Sequence, residues 1–182
     1  MVRAEPTTDR TPHRPAQPAV VEVADRTGRL GPAPSAWLLD RARAAASELG
    51  VAGEVRVAVV DDPAMAAAHE RYAGVPGTTD VLTFDYAADA PTAVDREPHP
   101  LDSDILICFD EATRHAAERD HPIERELLLY VVHGLLHCLG HDDHDEADAA
   151  AMHRREDEVL TTIGVGPTYA APSRGAAGEA PR

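Results

Sequence analysis

One stretch, PIERELLLYVVHGLLHCLG (residues 122–140), constrains this chain more than any other. From Leu127 to Leu139 it is apolar almost all round a helix, so that helix must be buried. Pro122 suits the opening turn, Glu124 and Glu126 suit the positive N-terminal end, and Gly140 is a C-cap candidate. Inside this apolar run His133 and His137 stand four apart, so both imidazoles leave one face, a turn from each other. Histidines in so apolar a setting need a chemical reason.

The elements around this helix alternate irregularly. AVVEV (19–23) and EVRVAVV (54–60) have strand patterning, as do TDVLTFDY (79–86) and DILICF (104–109). SAWLLDRARAAASELG (35–50) is a helix with Ser35 as N-cap and Gly50 at its end. DDPAMAAAHERY (61–72) is a second, with Asp62 as N-cap and Pro63 at N1. DEATRHAAERD (110–120) is a third, and Asp145 caps a last one over 145–160. The segment 87–101 carries three prolines and is expected as a loop. The pattern predicts an α+β fold: one domain over residues 19–163, a small mixed β-sheet covered by helices. Residues 1–18 and 164–182, rich in Pro, Ala and Gly, are expected as disordered tails.

Four of the ten histidines fall in HGLLHCLGHDDH, residues 133–144. Two imidazoles one turn apart suit a zinc ion at about 2.0–2.1 Å, with a third protein ligand and an open fourth position if the site is catalytic. This is a zincin-like HxxxHxxG metal-site helix. After the Gly140 turn, Asp143 stands ten residues beyond His133, the place of the third ligand in HxxxHxxGxxH zincins. His144 is the softer ligand but needs one residue more in the turn, and His141 is a third candidate. HExxH peptidases carry a glutamate just after the first histidine as general base; here that position is Gly134, which argues against a zinc metallopeptidase.

Charge narrows the partners. All 17 basic residues are arginine, and residues 19–163 hold 12 arginines against 29 acids, a net of −17. Such a body repels nucleic acid over most of its surface, so any RNA contact must use a local groove. No run is long and apolar enough for a transmembrane helix, and the polar N-terminus lacks a secretory h-region, so a cytoplasmic location is expected. Cys108 and Cys138 lie thirty positions apart in apolar runs and read as buried reduced thiols. Phe84 and Phe109 read as core.

These blocks resemble the YbeY family of bacterial metal-dependent endoribonucleases, also called rRNA maturation factors. HGLLHCLGHDD is similar to the family's HGxLHLxGYDH, TDVLTFDY to its TDVLSFP, and SDILIC to its GDIVI, with VRVAVVDD upstream and the same order. The resemblance spans residues 19–163 and implies an α+β fold with one Zn2+ per chain. It further implies hydrolysis of single-stranded RNA, maturation of the small-subunit rRNA 3′ end, and ribosome quality control. Single-stranded RNA and the ribosomal small subunit are then the expected partners, without DNA or membrane. His133 and His137 match two of the family's three ligand histidines, whereas the third falls on Asp143. The family's YRG falls on Tyr72-Ala73-Gly74, so its arginine is missing. Arg71 is the candidate phosphate contact in its place, and Asp142 or His141 the candidate proton shuttle. Asp80 and Asp104, at strand starts, are candidate partners of the ligating imidazoles. The rival to a nuclease is a non-catalytic zinc-containing, ribosome-associated factor with a closed four-ligand site.

Overall fold

The structure is a computed structural model and describes residues 19–86 and 99–169. Four strands form one mixed sheet: β1 (Val20–Asp25), β2 (Val51–Val60), β3 (Val81–Asp85) and β4 (His99–Cys108). Their order is β1-β2-β4-β3. β1, β2 and β4 run parallel, with Val21 opposite Val55 and Val57 opposite Ile105. β3 closes the far edge antiparallel to β4, with Thr83 opposite Ile105. The helices are α1 (Pro32–Glu48), α2 (Asp62–Ala73), α3 (Phe109–Glu118), α4 (Ile123–Cys138) and α5 (Glu146–Thr162). None is long and apolar enough to cross a membrane.

Alternation along the strands sorts the two faces. Val55, Val57, Val59, Ile105 and Ile107 are buried against Leu38, Ala42 and Ala45 of α1 and the apolar residues of α4 in one continuous core. Each buried Val, Leu or Ile side chain contributes about 1.5–3 kcal/mol. The opposite face carries a small cluster of Val60, Met65 and Cys108, roofed by α2. Lower on that face Arg56 binds Asp104 at 2.6 Å, and Tyr86 donates to the same carboxylate. α4 is thus enclosed as its composition requires, with residues 127–132 and 134–136 all buried.

Several boundaries differ from the pattern-based reading, each for a local reason. β2 starts at Val51 and β4 at His99, because the parallel pairing continues through Val51 and His99, with Gly53 opposite Leu101. A Cβ at Gly53 would lie 2.2 Å from the Leu101 carbonyl oxygen, so glycine there marks a close pairing that breaks the alternation. The last three residues of the expected proline loop therefore belong to β4, while 87–98 lie outside the described residues. α1 begins at Pro32 with Gly31 as N-cap, and Ser35 instead donates its hydroxyl to the Gly31 carbonyl. In α2 the cap is Asp61, which accepts from the Ala64 amide, and Asp62 is already helical. Asp145 caps α5 as expected, accepting from Ala147 and Asp148.

The described body also runs past residue 163. Arg125 donates to the carbonyls of Val165, Gly166 and Pro167, and Asp157 accepts from the Thr168 and Tyr169 amides. Residues 1–18 and 170–182, the remainder of the expected tails, lie outside the described residues. Cys108 is buried, Cys138 half-buried, and both are free thiols. Phe109 is buried, whereas Phe84 is only half-buried and meets the exposed Tyr72 edge-on at 5.0 Å.

Candidate metal centre

The helix end builds the site. α4 ends at Cys138 with Leu139 as its C-cap, and Gly140 follows at φ 87°. The Gly140 amide donates to the His137 carbonyl and the His141 amide to that of Leu136, a Schellman termination that turns the chain back. The returning segment places the His141 carbonyl 3.1 Å from His137 Nδ1 and brings the Asp143 carboxylate over the histidine pair. Asp143 Oδ2 lies 3.7 Å from His133 Nε2, and Asp143 Oδ1 lies 3.8 Å from His137 Nε2. α5 then packs back along α4 and sets Glu156 Oε1 2.7 Å from His133 Nδ1.

These contacts fix how the rings present themselves. A carbonyl oxygen only accepts, so the contact with the His141 carbonyl places a proton on His137 Nδ1 and leaves Nε2 facing His133. His133 Nδ1 likewise faces a carboxylate. The two Nε2 atoms lie 3.0 Å apart. Two nitrogens at 2.0–2.1 Å from one tetrahedral ion stand roughly 3.3 Å apart. A contact this short needs a proton or a cation between the two nitrogens, and two imidazoles with a carboxylate beside them form a donor set that fits a divalent metal. Burial drives the His133 pKa down, but the Glu156 bond and the charges of Glu156, Asp80 and Asp143 outweigh it and hold it above its ordinary value.

Other expected residues are placed apart from this pair. Among the described residues two groups bring three ligand atoms within 4.8 Å of one another: His133–His137–Asp143 and Asp142–Asp143–His144. His144 belongs only to the second; its side chain is 86% exposed and its Nδ1 pairs with Asp142. That contact holds the Asp142 carboxyl below and the His144 imidazole above their ordinary values. His141 contributes its carbonyl, while its ring, with burial and the Arg155 and His137 charges against ionisation, has a lowered pKa. Arg71 is exposed on the last turn of α2, 5.3 Å from the Tyr72 ring centroid. Asp104 points to the other sheet face, so it is no partner of the imidazoles; Arg56 and Tyr86 hold it there. Asp80 takes the Val81 amide and the Thr79 hydroxyl, and its charge acts on His133.

Gly134 faces the sheet. A Cβ there would lie 2.9 Å from Ile105 Cγ2 and 3.1 Å from Thr83 Cγ2. No glutamate fits at that position, so the geometry of an HExxH peptidase base is absent.

A protein-family model described as Endoribonuclease YbeY matches residues 35–164. The chain belongs to the YbeY family. Relatives bearing that name include one from Moorella thermoacetica, 40% identical over 128 residues, 68% of this chain and 82% of the relative. Another, from Desulfitobacterium hafniense, is 40% identical over 115 residues, 62% of this chain and 73% of the relative. The solution structure of TM1509 from Thermotoga maritima aligns with 85% of this chain and 99% of that one, at TM-score 0.47 and 20% identity. Within this YbeY-family chain, sequence reasoning missed two buried carboxylates. Glu156 lies in the charged run RREDE and reads as surface, yet it is fully buried against His133. Glu126, expected to complement the helix dipole, is fully buried and paired with Arg119 and His121. With Tyr130, whose hydroxyl meets His115 Nδ1 at 2.7 Å, Glu126 extends a polar stripe along α4 towards the histidines.

Proposed function

We propose that this chain is a single-strand-specific, metal-dependent endoribonuclease of rRNA processing, acting on the small-subunit rRNA 3′ end and in ribosome quality control in the cytoplasm. Family membership supports the reaction class, and the two converging Nε2 atoms with Asp143 beside them support the metal assignment. His133, His137 and Asp143 are the proposed ligands of one Zn2+. Bound there, zinc supplies Lewis acidity that acidifies water and polarises a phosphoryl oxygen.

The chain's own residues do the remaining work. The His141 carbonyl holds the His137 ring in register. Asp143, with a side chain 40% exposed, keeps the solvent side of the site open to a substrate strand. Proton transfer is assigned to Asp142 at the rim, whose carboxylate pairs with the exposed His144. Arg71 is the proposed phosphate contact, reaching from the end of α2. An acidic body captures free RNA poorly, so delivery by the ribosomal small subunit fits the charge.

A second reading, the non-catalytic ribosome-associated zinc factor, is favoured by Ala73 at the place of the family's arginine. Zinc-loaded protein incubated with single-stranded and duplex RNA of the 3′ junction separates the two. Cutting of the single strand alone supports the nuclease. Co-sedimentation with the small subunit without any cutting supports the factor.

A further inference from the structure

We infer that Glu156 is a positioning residue that locks the His133 ring in the orientation that turns Nε2 towards His137 and Asp143. The inference rests on the reading of this cluster as a metal site, and it extends that site onto α5. Glu156 is 0% exposed, on a helix whose neighbouring buried residues are Met152, Val159 and Leu160. A carboxylate in such surroundings is costly unless a partner compensates it. Its partner is no arginine but the Nδ1 of His133, 2.7 Å from Oε1. Among the described residues Oε2 is buried without a hydrogen-bond partner, so Glu156 is directed at this one ring. His137 receives the equivalent restraint from the His141 carbonyl at 3.1 Å. Each ring thus gives its Nδ1 proton to a fixed acceptor and presents Nε2 to the same point, an arrangement that orients ligating histidines and raises their basicity. The formal charges of Asp143 and Glu156 together also match a divalent cation, although only Asp143 lies where it touches one.

Long-range 1H–15N NMR of the metal-free wild type reads the tautomer directly, at a pH that leaves the imidazole neutral. We expect His133 to carry its proton on Nδ1; a proton on Nε2 overturns the inference. In parallel, zinc is titrated into wild type and Glu156→Leu, which removes the acceptor, against a chromophoric chelator. The variant should bind zinc about 10–100-fold more weakly with an unchanged far-UV spectrum. An affinity within about twofold of wild type contradicts the role. If Glu156→Leu fails to fold, the wild-type tautomer decides alone. A wild type that binds no zinc yet shows the Nδ1 proton refutes the metal site and not the orientation.

Discussion

At position 134 two requirements meet, one for packing and one for chemistry. Gly134 lets α4 approach β3 and β4 so closely that the neighbouring His133 reaches the end of the core. A methyl group there meets Ile105 Cγ2 at 2.9 Å. We expect Gly134→Ala to destabilise the fold by about 1–3 kcal/mol, as overpacking does, seen as a lower urea midpoint with an unchanged slope. The third ligand is testable at the same scale. Asp143→Ala should weaken zinc binding by more than the roughly 10–100-fold that losing an orienting neighbour costs, whereas His144→Ala should leave it within about twofold. The reverse ranking in a chelator competition would move the ligand to His144. Asp143 was readable from its tenth-place spacing after His133. The spacing put Asp143 only slightly ahead of His144; that Asp143, and not His144, lies beside the histidine pair depends on where the Schellman turn sends the chain. Glu156 was hidden altogether, since 23 residues separate it from His133 and its neighbours are charged.

Elements show a similar division. α4 was legible because an apolar helix has few places to go, and α5 because Asp145 caps it. Removing that cap with Asp145→Ala should cost about 1 kcal/mol, measured by thermal or urea unfolding, and a value near zero would show the cap to be idle. The start of β2 was not legible, because Gly53 interrupts the alternation for the sake of Leu101 across the sheet. Helix α2 is tied to α3 through Asp62, whose carboxyl lies below its ordinary value of 3.8, chiefly through the Arg114 bonds. A depressed carboxyl adds stability that is present above its unfolded value and is lost as pH falls through the folded one. The stability gap between wild type and Asp62→Asn should therefore shrink from ~pH 6 to ~pH 3; a gap that grows with acid would contradict the assignment.

For the whole molecule, charge and fold pull in different directions. The family fold supports an RNA-cutting site, yet the formal net charge is −15. Affinity for free single-stranded RNA should be modest and shallow in salt. It should change less than about tenfold between 50 and 200 mM NaCl, against roughly 10³–10⁵ for a protein making six to ten phosphate contacts. A steep dependence in filter binding would show a basic groove at odds with this charge balance. The most direct test of the account is cleavage of a single-stranded RNA spanning the small-subunit rRNA 3′ junction, with wild type, His137→Ala and chelator-treated protein side by side. The account predicts cutting by wild type alone, restored to the chelated sample by added zinc. Cutting that survives both the loss of His137 and the loss of metal would contradict it.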